Sequence, residues 1–110
     1  MFFHKDLTKE KWFSLDFFMQ MANIGAEVGR AINWRKKDKS LSQSAIYRGL
    51  ELLDLTIEDK KNKKKLKELC RLREIVSDYL CFDNIYKSTD TELNNYFILF
   101  GYASALKRYA

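Results

Sequence analysis

Two pairs of carboxylates, Glu51-x-x-Asp54 and Glu74-x-x-x-Asp78, come nearest in this chain to a catalytic spacing. If each pair sits on a helix, both of its acids share one face, and such oxygen clusters hold magnesium for phosphoryl chemistry. Surface salt bridges, Arg48 to Glu51 and Arg71 to Glu74, are the plain alternative for the same residues. Other reactive types are scarce. His4 is the only histidine, so neither a serine or cysteine nucleophile with a histidine base nor a di-iron bundle built on Glu-x-x-His helices is available. Cys70 and Cys81 with one histidine make no zinc constellation, and no cofactor is expected. Eleven residues apart on one helix, the two cysteines would lie about 16 Å from each other along the axis, too far for a disulfide. Both are expected reduced and half-buried.

The stronger chemical signal is charge. Between Lys60 and Arg73 there are eight Lys and Arg against Glu68 alone, whereas the remaining residues hold twelve basic and fourteen acidic side chains. One segment therefore creates the formal net charge of +5. On an α-helix Lys60, Lys64, Lys67 and Arg71 fall at i, i+4, i+7 and i+11, within about 60° of one another and over roughly 16 Å. Lys63 and Arg73 flank them, and Leu69, Leu72 and Val76 lie opposite. Such a ridge suits the backbone of RNA or DNA, or another polyanion, with little sequence preference. A solvated helix face is the competing reading. Glu51, Asp54 and Glu58 on a neighbouring helix are positioned to screen Lys61, Lys65 and Lys67. Lysine outnumbers arginine, and the ridge itself lacks stacking aromatics, which Trp34 of "WRKKDK" could supply. A second surface, the polar line Asn23, Glu27, Arg30 and Trp34, reads as a protein contact, because tryptophan and arginine favour interface centres. Trp34 beside Arg30, Arg35 and Lys37 also suits cation–π packing.

Helices must position these residues. The chain has 110 residues, 46% hydrophobic, 15% aromatic and 32% charged, with no proline and four glycines, so it suits one domain of long helices joined by short links. Helices are expected at about 15–37, 41–57, 62–81 and 90–108. The first is capped by Ser14 and buries Phe18, Met21, Gly25, Val28 and Ile32, flanked by Phe17, Ile24 and Ala31. Ser40 with Gln43 marks the second, whose stripe is Ile46, Leu50, Leu53 and Ile57. Asp59 or Asn62 caps the third, which turns Leu66, Leu69, Leu72, Val76 and Tyr79 inward. "FDNIYKS" is the longer loop. Thr89 with Glu92 opens the fourth, whose inner face is Leu93, Tyr96, Phe97, Phe100 and Ser104. Ile98, Leu99, Tyr102 and Leu106 fall outside that face, so this helix is either central or an oligomer surface. Gly25 and Gly29 each disfavour a helix interior by roughly 1 kcal/mol against alanine, which points to close approach of another helix. The expected fold is a single-domain, all-α, four-helix bundle of antiparallel up-and-down type spanning 1–110.

The longest nearly apolar run, Tyr96 to Leu106, falls well short of the roughly 20 residues of a membrane span. The N-terminal "MFFHKDLTKEKW" has no continuous apolar run and no cleavage site of signal-peptide type, so a cytoplasmic location is expected.

Two blocks, "NIGAEVGRAINWRKK" and "RGLELLDLTIEDKKNKKKLKELCRLRE", resemble a group of small, uncharacterised, all-helical prokaryotic proteins over Trp12 to Leu106, a resemblance that implies no site residues. In size and helix count the chain is also similar to the four-helix-bundle proteins encoded in ribosomal RNA intervening sequences and to accessory proteins of diversity-generating retroelements, basic oligomers associated with nucleic acid. The carboxylate pairs look like the motif of MazG-type nucleotide pyrophosphatases, Glu-x-x-Glu with Glu-x-x-Asp, with the first pair holding only two acids and the second one residue longer. HEPN-type ribonucleases need an arginine followed four to six residues later by histidine, which this chain lacks. The expectation is a non-enzymatic interaction module, homo-oligomeric through its first or fourth helix, that contacts nucleic acid through Lys60, Lys63, Lys64, Lys67, Arg71 and Arg73. A scaffold binding an unknown protein through Glu27, Arg30 and Trp34 is one alternative. A magnesium-dependent nucleotide hydrolase using Glu51, Asp54, Glu74 and Asp78 is the other.

Overall fold

Aspartates set the helix starts. In the computed structural model, which describes residues 8–109, Asp16 Oδ1 accepts from Met19 N at 2.8 Å and opens a helix at Phe17, and Asp38 accepts from Ser40 N and Leu41 N to open the next at Lys39. The expected caps Ser14 and Ser40 are thus replaced by acids two residues away, whose charge also suits the helix dipole. Ser14 instead closes a short helix, Lys9–Phe13, that the sequence reading did not anticipate. In chain order the helices are α1 (Lys9–Phe13), α2 (Phe17–Trp34), α3 (Lys39–Glu58), α4 (Leu66–Cys81) and α5 (Asp90–Tyr109). A six-residue 3-10 turn, Lys60–Lys65, leads into α4. Thr89 Oγ1 accepts from Glu92 N at 3.1 Å, as the sequence leads one to expect.

The long helices α2 to α5 pack as an all-α bundle in which α2 lies mainly against α3 and α5, and α4 closes on α3. Met21, Ile24, Val28, Leu53, Leu69, Leu72, Val76, Leu93 and Phe97 meet at the centre, and Trp12 of α1 seals one end. Three expected core positions shift. Phe18 and Leu66 are exposed, and on α3 the fully buried line is Ser42, Ala45, Gly49, Leu52 and Thr56, with Leu53 beside it. Ile46 borders a groove between α3 and α4 instead, whose wall is shared by Leu50, a residue that still packs against the core. Small side chains let α2 and α3 approach closely, so the narrow side of α3 faces α2 and its bulkier side falls at the looser α4 junction. Cys70 and Cys81 are free thiols and both exposed, not half-buried.

The two glycines of α2 have different reasons. A Cβ on Gly25 would lie 2.5 Å from Phe97 Cβ, whereas one on Gly29 would meet only Asn94 Oδ1 at 3.9 Å. Close helix approach is therefore real at Gly25 alone. Gly25→Ala is expected to destabilise by about 1–2 kcal/mol, overpacking outweighing the better helix propensity. Gly29→Ala should stabilise by about 0.5–1 kcal/mol, because nothing opposes the propensity gain. Urea unfolding of both variants checks this, and shifts of the same sign would contradict it.

A buried polar network ties α1 and α2 to the end of α3. Gln20 Nε2 donates to Trp12 O at 3.1 Å and Asp59 Oδ2 at 2.8 Å, and its Oε1 accepts from Asn62 Nδ2 at 2.9 Å. Asn62 also donates to Thr56 O at 3.0 Å, and Trp12 Nε1 donates to Thr56 Oγ1 at 3.0 Å. Burial pushes the Asp59 carboxyl up, but hydrogen bonds from Lys61 and Gln20 outweigh it and hold the group below its ordinary value of 3.8. A folded-state value below the unfolded one gives stability that is complete above the unfolded value and lost as pH falls through the folded one. The stability gap between native protein and Asp59→Asn should accordingly be constant near neutrality and close below about pH 4. A urea-unfolding series across that range would show it, and a gap unchanged down to the acid limit would refute it.

Candidate nucleic-acid interface

The basic segment does not form one α-helical line. Asn62 is 2% exposed and anchored by Gln20 and Thr56, which pulls this position inward within a stretch of lysines. The 3-10 winding has about three residues per turn, so Lys65, itself exposed, follows the side of Asn62 while Lys60 and Lys63 share another. Lys65 Nζ sits 4.5 Å from the centre of the Phe17 ring, and Lys61 Nζ donates to Phe13 O at 2.8 Å and pairs with Asp59. These two lysines serve the fold.

The outer cations differ. Lys60, Lys63, Lys64, Lys67 and Arg71 are all exposed, and none of them forms an ion pair with a described residue. Along the 3-10 turn and the first part of α4 they extend over roughly 19 Å, somewhat longer than a pure α-helix would give. Leu69, Leu72 and Val76 occupy the buried back of α4, as the periodicity implies. Arg73 leaves the group. Its Nε and Nη2 donate to Asp54 Oδ1 at 2.6 Å and Oδ2 at 3.3 Å, a fork that joins α4 to α3. Two of the three acids expected to screen the lysines are otherwise engaged, since Asp54 holds Arg73 and Glu58 holds Lys9 at 3.1 Å. Tyr96 O–H donates to Glu68 Oε1 at 3.1 Å, so the acid inside the segment faces α5. Burial pushes the Tyr96 phenol far up and the Glu68 charge adds to it, so this donor keeps its proton.

Three of the four carboxylates of the hydrolase alternative, Asp54, Glu74 and Asp78, have separate partners. Asp78 is buried and accepts from Ile85 N at 2.8 Å and Tyr86 N at 3.0 Å, which shapes the loop between α4 and α5. Glu74 accepts from Tyr86 O–H at 3.3 Å. Among the described residues no group of three or more His, Cys, Asp or Glu side chains converges as a metal site. His4 lies outside the described residues.

The polar line on α2 also divides. Glu27 is buried between α2 and α3, where Arg30 Nη1 donates to it at 2.6 Å and Arg48 Nε at 2.8 Å, so it is an inter-helix tie and not part of a surface. Arg30 and Trp34 remain exposed. The cation–π partner of Arg35 is Tyr79, 4.6 Å from the guanidinium carbon. Sequence reading missed Gln20, Thr56 and Asn62. Gln20 carried a usable signal, an uncharged polar residue at helical spacing between Phe17 and Ile24 on an apolar face.

Fold and surface together define a small all-α bundle with an unpaired cationic edge at one helix junction. No protein-family model matches the chain, and no curated protein or solved structure matches it either. No helix among the described residues is long and apolar enough to cross a membrane.

Proposed function

We propose that the protein is a binding module for the phosphate backbone of nucleic acid, engaged through Lys60, Lys63, Lys64, Lys67 and Arg71. The observation that carries this reading is the contrast within one segment. Lys61, Lys65 and Arg73 have intramolecular partners, while five neighbouring cations face solvent without a counter-charge among the described residues. Like charges held together in this way raise the local potential and favour a polyanion. Lysines of this kind act as point charges, so contacts fall on phosphates and carry little base preference. Reduced screening by acids adds support, because Asp54, Glu58 and Glu68 are bonded elsewhere.

Fluorescence anisotropy with labelled single-stranded RNA and duplex DNA, titrated over salt, tests the reading. Affinity for the duplex should fall linearly in log–log form with a slope of about −4.5 if all five cations neutralise phosphates. Absence of binding at low salt, or a slope near zero, would overturn it.

A further inference from the structure

From Leu93 to Leu106 the chain has no charged side chain, although α5 is a surface helix. Its inner side is accounted for by Leu93, Phe97 and Ser104. On the outer side Ile98, Leu99, Tyr102 and Leu106 are 66%, 70%, 71% and 61% exposed. They fall within an arc of about 100°, where a surface helix ordinarily carries its charges. Beside them runs a groove between α2 and α5, with Ala22, Ala26, Gly29, Gly101 and Ala105 along it and Ile98 and Tyr102 rising at its edge. The contact of Gly25 with Phe97 sets the floor of that groove.

We infer that this face docks a second copy of the chain about a two-fold axis, with Ile98 and Tyr102 of each copy seated in the α2/α5 groove of the other. Area is the first reason. The four exposed side chains present on the order of 500 Å², the upper range of a single apolar patch on a monomer. A standard interface takes roughly 800 Å² from each partner, of which these side chains would supply more than half. Shape is the second. Projecting side chains and a matching hollow lie side by side on one face, and an isologous contact requires such self-complementarity. Charge is the third. Two copies of a +5 chain repel each other, and a groove lining without charged side chains adds no close like-charge contact to that repulsion. The same lack of charge argues against the alternatives, since nucleic acid would seek the cations, and a helix lying on lipid carries Lys and Arg along its polar flanks. This surface is separate from the cationic edge and does not depend on its function.

Sedimentation velocity over a concentration series, at low and high salt, tests the inference with three proteins. Native protein should sediment as a dimer at both salts. Leu99→Lys with Tyr102→Lys, and separately Ala26→Trp, which fills the hollow from α2, should each raise the dissociation constant at least about 100-fold. Both changes are at solvent-facing positions, so unchanged helical circular dichroism will show that folding is intact. A native protein that stays monomeric, or a dimer that persists in both variants, overturns the inference. Monomeric protein that pelleted with lipid vesicles would overturn it in favour of a membrane contact.

Discussion

Replacement of Lys60, Lys64, Lys67 and Arg71 by glutamate is expected to weaken duplex binding by more than about 100-fold at low salt and to flatten the salt slope from about −4.5 towards zero. The four positions form no ion pair with a described residue, so their reversal removes attraction for phosphate without breaking a contact that holds the bundle. Stability should move by no more than about 0.5 kcal/mol per site, and relief of like-charge repulsion tends to raise it. Net charge alone also influences binding. A matched variant with glutamate at Lys36, Lys37, Lys39 and Lys87, all exposed and distant in sequence from the edge, has the same total charge and separates the two effects. It should retain most of the affinity and most of the slope. Equal losses in the two variants would mean that overall charge, not the edge at the start of α4, does the binding.

Asn62→Leu is expected to destabilise the fold by about 2–4 kcal/mol, because the Gln20 and Thr56 carbonyl oxygens would each lose a buried donor. That is a large fraction of the roughly 5–15 kcal/mol that holds a domain of this size. The variant also reaches the cationic edge. With its anchor gone, the 3-10 turn can rewind as an extension of α4, which would rotate Lys60 and Lys63 relative to Lys67 and Arg71. Urea unfolding measures the first effect, and anisotropy on the folded fraction measures the second. A cycle with Gln20→Leu should be non-additive by about 1–2 kcal/mol, since both residues belong to one network. A loss below about 1 kcal/mol with additive behaviour would show that Asn62 is not an anchor.

Long-range periodicity was legible in the chain, and local polar detail was less so. The inner face of α5 and the back of α4 follow from apolar spacing alone, because any helix with that pattern must bury it. The stripe on α3 was only partly so: Leu53 is core and Leu50 and Ile57 pack against it, but Ile46 does not. Ile46 looks like core by size, yet Ala45 and Gly49 face α2, since the closest helix pair is set by what lets backbones approach. For the candidate site, composition located the basic segment but could not sort its members. Lys61 and Arg73 are as basic as Lys60 and Lys64, and they differ in having partners within reach, Asp59 and the Phe13 carbonyl for Lys61 and Asp54 for Arg73. Glu27 misled for the same reason. Its position on α2 suggests a polar surface line, and Arg48, twenty-one residues away, makes that position an interior tie.

The sequence by itself determined the all-helical class, the number of long helices, the amphipathic faces that must turn inward, and the concentration of positive charge ahead of α4. Those properties depend on residue type and spacing along one element, which a linear pattern contains in full. Only the tertiary structure decided which cations remain unpaired, that Asn62 winds Lys60–Lys65 into a 3-10 turn, and that the outer face of α5 stays uncovered beside a groove. Those outcomes depend on which side chains from distant elements arrive within hydrogen-bond or van der Waals range, and short-range electrostatics and packing act only after the helices have met.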